Sequence, residues 1–288
     1  MVILKNEHVT AAIDEVGAEL KSLKLDGEEF IWEAKPEVWA NASPILFPIL
    51  FPICGGLKND SYTYLGKTYT LTKHGYAKFT LFEVERASDT EAVFLHISNE
   101  KTRAVYPFDY ELRIIFTLTE SGVRIVYRVD NKTDGEMYFS IGAHEGYATP
   151  EGIEDYDVIF EKEETLNANV LYGNMLSYQL LPMLKCGRVL PLYDKYFTID
   201  ALDFLNVKSR SVTMRNRKNG RGVTVDFPFA PHFLLWHKPN APYMCLEPWA
   251  GLPDFVDEDG DITKKTAIMR LEKDGVYEGE HTITVFKE

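Results

Sequence analysis

Three segments of this 288-residue chain place titratable side chains in otherwise apolar surroundings. They are Lys73-His74-Gly75-Tyr76-Ala77-Lys78-Phe79, Ser140-Ile141-Gly142-Ala143-His144-Glu145-Gly146-Tyr147 and Tyr243-Met244-Cys245-Leu246-Glu247-Pro248-Trp249-Ala250-Gly251-Leu252. In the third, a lone carboxylate follows an apolar run and precedes Pro-Trp. A Glu at the mouth of a sheet, walled by an indole, has its pKa pushed toward neutrality by desolvation, which suits a general base. His144, flanked by Gly142 and Gly146, has room for a ligand to approach the backbone. Its ordinary pKa suits an acid near pH 7. The plainer readings are a strand-end Glu and a turn His with satisfied hydrogen bonds. The residues alone therefore support a sheet protein with an aromatic, His- and Glu-bearing cleft. Rings that stack on CH faces, with carboxylates that accept hydroxyls, fit carbohydrate.

Other chemistries lack their spacing. The histidines 8, 74, 96, 144, 232, 237 and 281 form no H-x-H. His144-Glu145 opens like H-E-x-x-H, but Ala148 stands at the second His position, so local spacing gives no zinc signal. The acidic loop Asp254 to Asp261 fails the calcium-loop pattern because Phe255 occupies the first ligand position, and it reads as a solvated turn. There is no G-x-S-x-G. Cys54 and Cys245 lie among apolar neighbours that raise a thiol pKa, and the odd count of three cysteines with no C-x-x-C suits a reducing compartment.

The elements that must position these groups read as strands. Leu112, Ile114, Phe116 and Leu118 alternate with Arg113, Ile115, Thr117 and Thr119. Residues 93–98, 123–129, 223–227 and 282–286 repeat the period of two. Turn residues bound each run, as at Asp26-Gly27, Leu65-Gly66, Asn219-Gly220 and Asp259-Gly260. Short strands about ten residues apart predict a large antiparallel sandwich with few short helices. The stretch 161–181 is less regular and is expected to hold short helical turns. No linker or low-complexity segment appears and both ends read as strand, so one domain over 1–288 is expected. The one repeat, Leu46-Phe47-Pro48-Ile49 followed by Leu50-Phe51-Pro52-Ile53, reads as apolar edge or loop packing.

Composition bounds the partners. With 31 basic against 44 acidic residues the formal charge is −13, which disfavours nucleic acid and anionic membrane as main ligands. The basic stretch Arg215 to Arg221 reads as a hairpin turn around Asn219-Gly220 with solvated charges. The N-terminus lacks the pattern of a signal peptide, and the apolar run 44–54 is too short and proline-broken to span a bilayer. A cytoplasmic location is expected, with oligomeric state open between monomer and homodimer.

The three polar segments resemble those of the aldose 1-epimerase (galactose mutarotase) family, in its LacX-like branch. Ser43-Pro44-Ile45-Leu46-Phe47-Pro48, Gly56-Leu57-Lys58 and Tyr106-Pro107-Phe108 extend the resemblance over nearly the whole chain, in the family's order. The resemblance implies a β-supersandwich, a sugar substrate and no cofactor or metal. It implies Glu247 as general base, His144 as general acid and His74 as a contact to sugar hydroxyls. It implies ring opening to the aldehyde, rotation, and reclosure to the other anomer. Lys78 stands where the family usually has Arg, keeping charge without the bidentate fork. Glu145 replaces the usual Pro after the acid His, and Gly56 stands at a position resembling a basic residue. Those replacements favour a neutral sugar over a hexose 6-phosphate, which would call for an Arg cluster such as Lys58, Lys78 and Lys238 would imitate. The alternatives are a binding or sensing module without chemistry, and an enzyme of the same fold acting on a phosphorylated or modified sugar. Trp236, Trp249 and Asp194 are further expected wall residues of the cleft.

Overall fold

The structure, a computed structural model, describes residues 1–33 and 48–287. Leu46 and Phe47 of the repeat, and residues 43–47 of the first resembling segment, lie outside the described residues.

The period of two in the sequence becomes burial. The strand Tyr110–Thr119 alternates buried and half-buried residues along its whole length, with Leu112, Ile114 and Phe116 facing inward. Its neighbours extend one large antiparallel sheet. The order runs Ile141–Gly142, Tyr243–Ala250, His232–Trp236, Leu202–Phe204, Tyr156–Tyr172, Ser211–Asn216, Gly222–Asp226, Val276–Phe286, Gly122–Asn131, Tyr110–Thr119, Glu91–Ile97, Glu83–Ala87. Gly146–Ala148 adds to Tyr243–Ala250, and Met175–Pro191 adds to Tyr156–Tyr172. The N-terminal strands Val2–Lys5, Val9–Asp14, Glu19–Leu25 and Glu28–Glu29 form a separate four-stranded meander. Its Leu4, Val9, Ile13 and Leu23 share one buried cluster with Ile114, Phe116 and Val285. Burying two sheets against each other is what a face of alternating apolar residues requires.

Helix is scarce among the described residues. One α-helix, Glu100–Val105, starts at Asn99, whose side chain accepts from the amides of Lys101 and Thr102. The rest are short 3₁₀ turns. No helix among the described residues is long and apolar enough to cross a membrane.

Three expectations change. The stretch 161–181 holds no helical turns. It belongs to a hairpin of two 17-residue strands, Tyr156–Tyr172 and Met175–Pro191, with several register shifts. Those bulges, and the exposure of most of the second strand, erase the alternation a half-buried strand would show. The second copy of the repeat does more than fill an edge. Leu50 exchanges backbone hydrogen bonds with Gly142, at 2.9 and 3.2 Å, and so supports the strand leading to His144. The 215–221 segment does join the strands Ser211–Asn216 and Gly222–Asp226 as a hairpin. Arg221, however, is buried over the Phe30 ring and paired with Glu28.

Candidate active site

Strand register brings the acid/base candidates together. Ile141 lies opposite Ala250 and Gly142 opposite Trp249, while Gly146 lies opposite Cys245 and Tyr147 opposite Met244. The same register on both sides sets His144 opposite Glu247. Glu247 in turn lies opposite Leu234, and Leu234 opposite Asp203. Side chains in register share a face of a sheet. His144, Glu247, Leu234 and Asp203 thus form a row across four segments, and all four line one cavity of about 290 Å³. Nε2 of His144 is 3.5 Å from Oε2 of Glu247, with the Glu side chain only 2% exposed.

Trp236 and Trp249 flank the row, two residues along their strands from Leu234 and Glu247, and both line the cavity. The Trp249 indole donates to the carbonyl of Ala143 at 3.1 Å, tying the wall to the loop that carries His144. The Trp236 ring meets His144 edge-on at 5.9 Å. His74 enters from the opposite segment with φ 68°, in the left-handed region. Its Nδ1 accepts from the Gly55 amide at 3.1 Å, so a neutral ring carries its hydrogen on Nε2. Its ring stands edge-on to His144 at 5.4 Å.

Burial sets the charges. It pushes the Glu247 carboxyl well above its usual range, with Asp203 adding repulsion and Lys73 opposing. It pushes His144 down to about 3, opposed by a hydrogen bond to its own backbone. His74 is held well below its usual value by burial, then by His144 and Lys73. Asp203 is pushed up to about 7, again chiefly by burial. Its Oδ2 has no hydrogen-bond partner among the described residues.

The structure therefore gathers His74, His144, Glu247, Trp236 and Trp249 around one cavity, and leaves two expected residues outside it. The Nζ of Lys78 turns away to the carbonyl of Lys73 at 2.8 Å, half-buried beside Phe79. It braces the Lys73-His74 segment instead of lining the cavity. Asp194 opens the 3₁₀ turn Asp194–Ile199, accepts from the Asn240 amide at 2.7 Å and pairs with the buried His237. It is occupied in holding that turn behind the wall. Glu145 neither faces solvent nor meets the His144 ring. Strand alternation sends it to the other face, buried 3.4 Å from Nε2 of His281. Lys58 is spent on the carbonyls of Val256 and Glu258. Among the described residues lining the cavity, Lys73 is the one Lys or Arg.

Four polar lining residues were not expected at the cavity from the sequence: Lys73, Asn174, Asp200 and Asp203. Asp203 carried the signal that marked Glu247, a lone carboxylate between Leu202 and Phe204 in an apolar run. Asp200 is held at φ 97°, ψ −150°, a region nearly reserved for glycine, and such strain clusters at functional sites. Neither it nor Asn174 has a sequence signal beyond ordinary turn composition.

One metal-ligating group of three occurs among the described residues. Ligand atoms of His144, Cys245 and Glu247 lie within 4.8 Å of one another, brought together by register and not by local spacing. Burial pushes the Cys245 thiol well up, which disfavours the thiolate a metal needs, and Cys245 does not line the cavity.

An antiparallel supersandwich with this cleft is the galactose mutarotase-like fold. A galactose mutarotase-related enzyme from Lactobacillus acidophilus superposes with a TM-score of 0.90 at 34% identity, covering 99% of this chain and 97% of that one. A galactose mutarotase-like protein from Lactobacillus casei superposes at 0.91 with 27% identity, covering 99% and 100%. The plasmid-encoded protein LacX of Lactococcus lactis subsp. lactis is 33% identical over 283 residues, 93% of each chain. The family model described as aldose 1-epimerase matches residues 1–270. The chain belongs to the aldose 1-epimerase family.

Proposed function

We propose that the protein interconverts the α and β anomers of a free, uncharged aldose by acid/base opening and closing of the sugar ring. The observation that carries this reading is the His144–Glu247 pair, 3.5 Å apart on one face of the cavity. Glu247 takes the proton of the anomeric hydroxyl as His144 gives one to the ring oxygen. The bond between carbon 1 and the ring oxygen breaks, leaving the aldehyde. Rotation about the bond between carbons 1 and 2 turns the other carbonyl face to the ring hydroxyl. Reclosure reverses both transfers.

The pair holds one proton throughout, on His144 with the closed sugar and on Glu247 with the open one. The buried site therefore never changes net charge, which would be costly at low dielectric. The raised Glu247 and lowered His144 favour the second arrangement when the cavity is empty. Asp203, with an unpartnered oxygen, and His74 are suited to sugar hydroxyls, and the two indoles to CH faces. A volume near 290 Å³ lies at the small end of ligand pockets, about 300–1,000 Å³, and suits a single monosaccharide. One lysine against Asp200, Asp203 and Glu247 argues against a sugar phosphate.

Polarimetry tests the reading. Freshly dissolved α-D-glucose and α-D-galactose are expected to reach equilibrium rotation faster with the protein. Folded protein that accelerates neither sugar would refute it, and saturable binding without acceleration would leave a sugar-binding module.

A further inference from the structure

The hairpin Tyr156–Tyr172/Met175–Pro191 reaches from the large sheet to the cavity, which Leu171 and Asn174 line at its tip. Tyr172 pairs with Met175, leaving the two-residue turn Gly173-Asn174. Gly173 has φ 62°, the positive value a type II′ turn needs at its first central position.

The tip is docked firmly. The Leu176 amide donates to the carbonyl of Asp254 at 2.8 Å, and that of Val256 to the carbonyl of Leu176 at 3.0 Å. Leu176 packs with Leu252 and Phe255 in a separate buried cluster. Asp254 is anchored from below: its amide donates to the carbonyl of Gly56, and its carboxylate accepts from the Lys58 amide and from buried Lys265.

Gly56 makes the seat. A Cβ built there would lie 2.5 Å from Cβ of Asn174 and 2.9 Å from its carbonyl oxygen, inside any real contact distance. Its φ is not in the left-handed region, so the glycine is needed for space and not for conformation. Asn174 is also the one carboxamide among the residues lining the cavity. It offers an acceptor oxygen and two donor hydrogens, the complement of neighbouring hydroxyls on a sugar.

We propose that Asn174, seated on Gly56 at the hairpin tip, is a sugar-contacting residue that determines which aldose the cavity accepts. The inference rests on the anomer-interconverting reading above. The contact orders no charge and touches no reacting bond, so it acts on binding.

The test measures kcat and KM for D-glucose and D-galactose, which differ in one hydroxyl configuration, and for their deoxy analogues. It uses wild type, Asn174→Ala and Gly56→Ala. Asn174→Ala is expected to raise KM about 3–10-fold, the worth of one neutral hydrogen bond, with kcat falling less than about threefold. One deoxy sugar should lose affinity with wild type and lose nothing more with Asn174→Ala. Gly56→Ala, which pushes the tip off its seat, should reproduce the KM effect with an intact fold by circular dichroism. Tryptophan emission from Trp236 and Trp249 provides sugar dissociation constants independent of turnover. If wild type turns over sugar and Asn174→Ala matches it for every sugar, the contact is overturned and the activity stands. If wild type binds sugar without turnover and Asn174→Ala binds equally well, the contact and the activity both fall. If wild type neither binds nor turns over any sugar, both readings fall.

Discussion

Replacing Glu247 by Gln keeps the size of the side chain and removes its ability to take a proton. kcat is expected to fall about 10²–10⁴-fold, the usual worth of a positioned acid or base, with sugar binding retained. His144→Asn should do the same, and the double variant little more, because the two act as a unit. The pH profile carries a sharper signature. An ordinary glutamate base and histidine acid would give a rise near 4.5 and a fall near 6.5. Here burial raises the first well above 4.5 and lowers the second to about 3, so between the two the free enzyme holds one shared proton, on Glu247. kcat/KM is expected to stay level above about pH 3 and to fall only as rising pH takes the proton from the raised Glu247 carboxyl, with no limb near 6.5 from an ordinary His. Asp203 gives a stability test. Its carboxyl is raised from 3.8 to about 7. Below pH 3.8 folded and unfolded chains both hold the proton and nothing is lost. Between 3.8 and 7 the unfolded chain releases it first, so stability falls, and above 7 the loss is complete. Asp203→Asn is therefore expected to gain stability over wild type at pH 8 relative to pH 4, by up to about 4 kcal/mol, in urea unfolding curves.

At the scale of elements, the site depends on a register and a hairpin. The register was half legible. Glu247 and His144 stood out because each is a polar group in an apolar run, and the alternation of 112–118 foretold the sheet beside which such groups lie. That His144 faces Glu247 was not legible, since it depends on Gly142 and Gly146 pairing in one register across a short break between strands. The Glu145 side chain shows the rule at work, because one step along the chain from His144 buries it beside His281. The hairpin 156–191 was not legible at all. Its bulges break the period, and its outer strand lacks a core face to pattern. Lys78 and Asp194 misled for a common reason: each is a charged residue whose polar atoms are already taken, Lys78 by the Lys73 carbonyl and Asp194 by the Asn240 amide and His237. Docking of the hairpin is separable from its chemistry. Leu176→Ala removes a fully buried side chain from the cluster with Leu252 and Phe255. It is expected to cost about 2–3 kcal/mol in chemical denaturation and to raise KM as the tip loosens.

For the whole molecule, the charge of −13 and the cavity point the same way. Lys73 faces Asp200, Asp203 and Glu247 inside, and the surrounding field is negative outside. A hexose 6-phosphate is expected to show a kcat/KM at least about tenfold below that of its neutral parent. The gap should narrow as salt screens the long-range part of the repulsion. A phosphate preferred over the parent sugar would reverse the assignment of substrate class. A continuous buried cluster from Leu4 to Val285 joins the N-terminal meander to the large sheet.

The central claim is that His144 and Glu247 exchange protons with the sugar ring. Magnetisation exchange between the two anomeric protons of a sugar at equilibrium measures the interconversion of the anomers directly. With wild type the exchange rate is expected to rise in proportion to enzyme concentration, and to return to the uncatalysed rate with Glu247→Gln at the same sugar occupancy. Exchange by Glu247→Gln as fast as by wild type would contradict the account.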